Sequence, residues 1–340
     1  MQDVARRAGV SPMTVSNVVN GHPHVRPATR QRVLEAIAAL DYHVNTTARS
    51  LRQGRTGVIG LAVPNLDHPY FGLLARLLVE RAAAEGYDVV VEQTGARREG
   101  ELGAITRSRL RSYDGVVLHA SELANADAEL LRGEYPIVVM GERAYDEPVD
   151  HVLMGNEEGA RLATRHLIER GCRRIAIIGG RLGSPDDIDV STLRTRGYLR
   201  ALDEAGIARD DRLVRVAVLG FEGGRSGVHA LLDEVGPVDG IVGATDQVAV
   251  GVLRGLRERA VSVPDEVRVV GFDDIPVAAF TVPSLTTIEP DHDGMADAVV
   301  RLLLERISGE RRADDYREIV SGVWLVERES TAGVVRIALA

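Results

Sequence analysis

Residues 3–21, DVARRAGVSPMTVSNVVNG, decide how the first part of this 340-residue chain folds. Val4, Ala5 and Ala8 share one face at helical spacing, and Gly9 ends that helix. Ser11 then offers an oxygen to cap a second helix, with Pro12 at its first position, where a missing N–H costs nothing. From Pro12 to Val19 the side chains of Val15, Val18 and Val19 point one way, leaving Met13, Thr14 and Asn17 on the other face before Asn20-Gly21 closes the segment. A third helix is predicted over Pro27–Leu40, with Val33, Leu34, Ile37 and Leu40 inward. Two short helices about a glycine turn, braced by a third, make helix-turn-helix geometry, and the second is sized for a major groove. A small three-helix protein-interaction module is the competing reading.

Charge favours the nucleic acid. The net charge is −9, yet residues 1–55 hold eight arginines against Asp3, Glu35 and Asp41, a local +5 that leaves −14 on the rest. A basic end on an acidic body fits a phosphate-binding module joined to a soluble sensor. The single cysteine, Cys172, excludes an internal disulfide framework and reads as a buried thiol. With no apolar run of eighteen residues and no signal-peptide pattern, a soluble cytoplasmic protein is expected.

The runs VARRAGVSPMTVSNVVNG (4–21) and RVLEAIAALDYHVNTTARSLRQGRTGVIGLAVP (32–64) resemble the amino-terminal module of the lac-repressor/galactose-repressor family, and the resemblance extends over essentially the whole chain. It implies that Pro12, Met13 and Asn17 face base edges, while Thr14, Ser16, Asn20 and Val25 hold the DNA backbone. An asparagine can pair with adenine, and a methionine can pack on a thymine methyl. The resemblance also implies a hinge helix over Asn45–Arg52 that forms on the operator. Thr46, Ala48, Leu51 and Arg52 would be its DNA contacts, Leu51 being wedged between bases in the minor groove. Eight residues alone make a marginal helix. Val44 stands where relatives usually carry proline, and with Thr46 and Thr47 it predicts a looser hinge in the free state. The first helix begins without the cap that relatives have, so either Met1 substitutes as its apolar flank or the true translation start lies upstream.

From Gly57 the pattern alternates strands and helices. Strands are predicted at Val58–Val63, Asp88–Glu92, Gly115–Leu118 and Ile137–Met140, then at Ile175–Ile178, Leu213–Val218, Gly240–Ala244 and Val267–Phe272. The intervening helices are predicted over Phe71–Glu85, Arg98–Arg109, Leu123–Leu131, Glu157–Glu169, Leu193–Ala205, Gly224–Glu234 and Gln247–Arg259. Short, unalternated apolar strands between helices are buried parallel strands. The expected fold class is α/β: a three-helix helix-turn-helix plus hinge helix, then two doubly wound parallel-sheet subdomains of periplasmic-binding-protein-like form. The expected domains are 1–43, a linker over 44–56, and an effector-binding body over 57–340. Its first subdomain would take about 57–155 and 289–318, and its second about 156–288 and 319–340. The pieces Gly294–Ile307, Glu318–Val320 and Val323–Glu327 are read as chain crossing back between the sheets.

Ligands in such sheets sit beyond the carboxyl ends of strands. Asp67, Tyr70 and Phe71 follow the first strand, Glu142 and Arg143 the fourth, and Asp246, Asp273 and Asp274 later ones; Arg194 opens the helix after the strand that ends near Gly179. Carboxylates and an arginine beside an aromatic platform suit polyhydroxylated ligands. The resemblance places Arg194, Thr245 or Asp246, and Asp273 at effector-contacting positions, and the expected effector set is Tyr70, Phe71, Arg143, Arg194, Thr245, Asp246 and Asp273. Asp246 equally suits a helix N-cap. Asp186, Asp187 and Asp189 are read as a solvated loop that orders on ligand binding. No dinucleotide, phosphate-loop or nucleophile-elbow motif is present, so neither enzyme activity, cofactor nor metal is expected. The expected partners are operator DNA, a carbohydrate effector and a second copy of the chain. A dimer is expected because Thr331–Ala340 lacks a leucine-rich helix. A sugar-binding protein without DNA function is the alternative.

Overall fold

The computed structural model describes residues 1–19, 22–42, 55–110, 112–132, 135–142, 145–146, 148–184, 186–312 and 314–332. The chain divides into two compact units, Met1–Thr56 and Gly57–Ala340.

In the first unit, α1 (Gln2–Ala8), α2 (Pro12–Val19) and α3 (Pro27–Ala39) pack around Val4, Ala5, Ala8, Val15, Val18, Val33 and Ala36. Gly9 ends α1 in the left-handed region at φ 63, a conformation that glycine adopts without penalty. No side chain caps α1, and Met1 packs against the core as the expected apolar flank. One expectation fails on α3: Leu34 and Leu40 are exposed, and Ala36 is buried in their place. The spacing admits either neighbouring stripe, and the small Ala36 lets α3 approach its partner helices more closely.

The second unit contains two parallel sheets. The first joins β1 (Val58–Val63), β2 (Asp88–Gln93), β3 (Gly115–His119), β4 (Ile137–Met140), β5 (His151–Leu153) and β11 (Glu318–Val320) in the order β11-β5-β4-β3-β1-β2. The second joins β6 (Ile175–Ile178), β7 (Val214–Arg215), β8 (Gly240–Gly243) and β9 (Arg268–Val270) in the order β7-β6-β8-β9. All pairings within both sheets are parallel. Between them, β10 (Thr287–Glu289) and β12 (Trp324–Val326) form an antiparallel pair. The helices are α4 (Pro69–Ala84), α5 (Arg98–Arg109), α6 (Asn156–Glu169), α7 (Val190–Glu204), α8 (Phe221–Glu234), α9 (Asp246–Glu258), α10 (His292–Ser308) and α11 (Glu329–Ala332). The pairs α6/α7 and α8/α9 meet at glycines: a Cβ on Gly197 would lie 2.0 Å from the Glu157 carbonyl, and one on Gly251 2.0 Å from that of Phe221.

The strand order reverses between β1 and β3 in one sheet and between β6 and β8 in the other, which opens a crevice beyond the strand ends at each reversal. The chain passes between the sheets after β5, after β10 and after β11. The last passage comes later than expected, because Ile319 and Val320 still pair with Val152 and Leu153 of the first sheet. Three further elements differ. Residues Asn125–Leu131 form a 3₁₀ helix rather than an α-helix. The three-residue β5 is too short to signal itself by periodicity. The strand predicted over Leu213–Val218 keeps only Val214–Arg215 in the sheet, with Val216 and Val218 73 % and 82 % exposed. Among the described residues, no helix is long and apolar enough to cross a membrane.

Candidate nucleic-acid interface and ligand cleft

In the first unit, the cap expected from Ser11 is formed. Its Oγ accepts the Thr14 N–H at 3.1 Å and shares a 2.9 Å hydrogen bond with the Thr14 hydroxyl. With Val15 and Val18 buried, helical spacing carries Pro12 and Met13 outward, and Met13 is 70 % exposed. Ser16 and Asn17 are half-buried beside them, and the Asn17 carbonyl accepts the His22 N–H at 2.9 Å. Arg30 of α3 donates to the His22 carbonyl at 2.8 Å, bracing the turn that follows α2. Val25, expected to hold the DNA backbone, is half-buried against the core, which fixes its main chain. Asn20, Thr46, Ala48, Leu51 and Arg52 lie outside the described residues, as does Arg143 of the cleft set.

In the second unit, the centre of the cleft is built around Arg194 on α7, 3 % exposed. Its Nε donates to Asn156 Oδ1 at 2.6 Å, Nη1 to the Ala244 carbonyl, and Nη2 to Met154 Sδ at 3.3 Å and Asp273 Oδ1 at 3.1 Å. The guanidinium also lies 3.6 Å from the centroid of the Phe272 ring. Asp273 is buried, and burial raises its carboxyl above the ordinary range although Arg194 beside it pulls the other way.

Asp273 and Asp274 follow β9 with φ 109 and 42, a strained backbone for side chains bearing a Cβ. Three residues hold that turn. Asp246 accepts the Ile275 N–H at 2.8 Å and the Thr287 hydroxyl at 2.5 Å; His292 Nε2 donates to the Asp273 carbonyl at 2.5 Å; and Arg328 pairs with Asp274 at 2.7 Å. This alters the reading of Asp246. It is fully buried in the first turn of α9 with both carboxylate oxygens engaged, and burial raises its carboxyl well above the usual value. The N-cap is Thr245, whose hydroxyl accepts the Val248 N–H at 3.2 Å. Asp246 thus braces the turn that carries Asp273, and Thr245 starts α9.

The first sheet contributes an aromatic group. Tyr70 and Phe71, at the start of α4, are buried with ring centroids 5.2 Å apart, and Phe71 lies 4.8 Å from His119. Tyr70 is 5.8 Å from His292, and its phenol feels Asp273, Glu142 and Arg194 after burial, its main cause of a raised pKa. His68 feels Asp273 and Arg194 in turn, and burial lowers its pKa. Burial also takes His119 down to about 4, so its ring is neutral near pH 7. Glu142, half-buried after β4, accepts the Met154 N–H at 3.3 Å, and burial lifts it to about 7. Residues from both sheets and from the crossover thus meet at one place.

Beside this cluster opens a cleft of about 880 Å³, with Asn65, Asp67 and His68 on one wall and Val216, Val218 and Phe221 on the other. His68, Asn156, His119 and His292 join the site without any sequence signal, and Glu142 is marked in the sequence only by its place after a strand. Val216 and Val218, expected within a buried strand, line the cleft instead. Alternation puts Val214, Val216 and Val218 on one face and argues for burial of all three, so no local signal marks the end of the strand at Arg215. In the loop expected to be solvated, Asp189 caps α7 through Thr192, and Asp187 accepts the Ser184 N–H at 2.8 Å. Cys172 is buried as expected and donates to the Asp239 carbonyl at 3.2 Å.

Comparison with known proteins follows the same division of the chain. A family model described as bacterial regulatory proteins, lacI family, matches residues 1–45, and one described as a periplasmic binding protein-like domain matches residues 164–331. The ribose operon repressor of Halalkalibacterium halodurans is 34 % identical over 333 residues, which is 98 % of this chain and 97 % of that protein. The transcriptional regulator CelR in complex with cellobiose is 31 % identical with a TM-score of 0.72, over 97 % of this chain and 98 % of that one. The lac repressor dimer bound to operator and the anti-inducer ONPF is 28 % identical with a TM-score of 0.79, over the same shares.

Proposed function

The chain belongs to the lacI family of bacterial regulatory proteins and is a DNA-binding regulator, and from that premise we propose that it is a cytoplasmic transcriptional repressor controlled by a small hydroxylated effector, a sugar, bound between its two sheets. The observation that carries the ligand half is the convergence of Tyr70, His68 and Glu142 from one sheet with Arg194 and Asp273 from the other. A molecule touching both groups favours one relative pose of the two lobes, and any differential affinity shifts that equilibrium. Tyr70, Phe71, Arg194, Asp273 and, by resemblance, Arg143 contact the effector; Thr245 and Asp246 shape the turn that presents Asp273. Pro12, Met13 and Asn17 read bases, with Thr14, Ser16, Asn20 and Val25 on the backbone and Thr46, Ala48, Leu51 and Arg52 in the hinge.

One helix-turn-helix spans one half-site, so a homodimer is part of the proposal. Phe280 and Val282, 83 % and 96 % exposed, are apolar side chains available to a second copy. Domain limits of 1–43, 44–56 and 57–340 are retained, with the final handover between lobes after Val320. The test is a gel shift on the DNA upstream of the protein's own gene, using the full chain and a chain lacking residues 1–55. Retardation by the full chain alone, relieved or strengthened by one sugar, is the expected result. No retardation under any ligand overturns it and leaves the sugar-binding protein without DNA function.

A further inference from the structure

Glu101, in the first turn of α5, is 0 % exposed and lies outside the effector cluster. Its Oε1 accepts the Ser121 N–H at 2.8 Å and the Glu122 N–H at 3.1 Å, and its Oε2 accepts the Leu123 N–H at 2.9 Å. Successive main-chain N–H groups that converge on one point form the concavity that proteins use for anions, and here a carboxylate of the same chain fills it. Burial raises that carboxyl above the ordinary range, the three N–H groups pull the other way, and the charge of Glu122 adds to the rise. The start of α5 is itself fixed: a Cβ on Gly100 would lie 2.1 Å from the Thr94 carbonyl, just after β2. The loop held by Glu101 begins at His119, the last residue of β3. Ala120 donates its N–H to the Met140 carbonyl at 2.9 Å, and its own carbonyl would lie 2.5 Å from a Cβ on Gly141, which stands at φ 98. The same Cβ would lie 3.3 Å from the His119 ring, and Glu142 is the next residue. The hold on Ser121–Leu123 is therefore also a hold on the place where His119 meets Gly141, 4.8 Å from Phe71.

We propose that Glu101 is a positioning residue of the effector site: by filling the N–H concavity at Ser121–Leu123 it fixes the main chain that seats the His119 ring against Gly141 and beside Phe71. The proposal rests on the reading of this cleft as the effector site, and Glu101 itself touches no ligand. Its three donors need acceptors on both sides of the group, which a carboxylate supplies and a carboxamide does not, since an NH2 only donates. With one N–H turned away, Ala120 loosens against Gly141, His119 gains room, and the wall formed by His119, Phe71 and Glu142 is no longer preset for a ligand. Asp127 holds the same segment past Leu123, through the Ala124 N–H at 3.0 Å and Arg98 at 2.9 Å, and so separates positioning from simple loss of stability.

The test compares Glu101→Gln, Glu101→Asp and Asp127→Asn in the full-length protein, each checked for folding by circular dichroism and urea unfolding. The first readout is the NMR titration of the His119 imidazole, assigned with His119→Asn. In the parent, burial holds that ring at about 4, so it is neutral across the physiological range. In Glu101→Gln it should charge nearer the ordinary 6.5. Glu101→Asp keeps the charge but retreats by one methylene, and should move the titration the same way by a smaller step. The second readout is calorimetric titration with D-ribose, D-galactose and cellobiose. The sugar that binds the parent should bind Glu101→Gln severalfold more weakly. Asp127→Asn should lower the urea midpoint and leave both the His119 titration and the sugar affinity as in the parent. Folded Glu101 variants with an unchanged His119 titration and sugar affinity overturn the proposal. An equal change in Asp127→Asn also overturns it, because loss of stability then accounts for the effect. If none of the three sugars binds the parent, the effector reading falls by itself, and the His119 titration still decides what Glu101 positions.

Discussion

The helical unit and the cleft solve opposite problems. On α2 the foremost residue proposed to read DNA points away from the fold: Met13 is 70 % exposed. In the cleft the corresponding residues are built into the fold. Arg194 and Asp273 are each 3 % exposed and hold five different segments together. A DNA-reading face must match a surface that never enters the protein, so it can change without unsettling the helices. An effector cleft must already be polar and dry inside, so its groups neutralise and orient one another before any ligand arrives. Function and stability should therefore separate on α2 and be inseparable at Arg194.

The largest effect tests the inseparable end. Arg194→Ala removes one partner of a buried pair and strands Asp273 and the Ala244 carbonyl, and should lower stability by about 3–5 kcal/mol and abolish sugar binding. A loss of sugar binding with the urea midpoint intact would break the comparison. Asp246→Ala comes next, at about 2–3 kcal/mol, because the Ile275 N–H and Thr287 hydroxyl lose their acceptor. Its sugar affinity should fall with stability, since the strained turn carrying Asp273 relaxes.

Glu142→Gln has the opposite sign. The folded carboxyl titrates at about 7, above its ordinary range, so the folded state holds a proton that the unfolded chain releases earlier. The associated penalty is absent below the unfolded value near 4.5, grows as pH rises through 7, and is full above it. The variant should match the parent at pH 4.5 and exceed it at pH 8 by on the order of 1–2 kcal/mol in thermal or urea unfolding. Equal gains at both pH values would mean that desolvation of the carboxylate is not the cause.

On α2, Ser11→Ala should cost about 1 kcal/mol through the lost cap. Met13→Ala should change stability by no more than about 0.5 kcal/mol. It should nevertheless weaken specific operator binding roughly tenfold, a base contact being worth about 1–3 kcal/mol. A Met13 variant that loses several degrees of melting temperature would show the two regions to be less different than their exposures imply.

The same contrast governs what could be read from the sequence. Both ends of α2 were legible because a serine cap, a proline at the first helical position and valines at helical spacing are local signals. Strands β1, β4 and β6 were legible with their bounds as unbroken apolar runs. Leu34 and Leu40 misled because two adjacent stripes of α3 are equally apolar, and only the packing partner selects one. Tyr70, Arg194 and Asp273 could be nominated from strand ends and resemblance. Their mutual arrangement could not, and neither could the saturation of Arg194, since Asn156, Met154, Ala244 and Phe272 are remote in sequence from it and most of them from each other.

Composition, periodicity and capping thus determined by themselves a basic helix-turn-helix ahead of two parallel α/β lobes, because each depends on neighbours within a few residues. Only the tertiary structure decided that Asp246 is a buried brace and Thr245 the cap, that Val216 and Val218 leave the sheet to line a cleft, and that four N–H groups of Arg194 are given to partners within the protein. The physical reason is that burial and hydrogen-bond saturation count all neighbours in space. In this cleft those neighbours come from both sheets and from the chain that crosses between them.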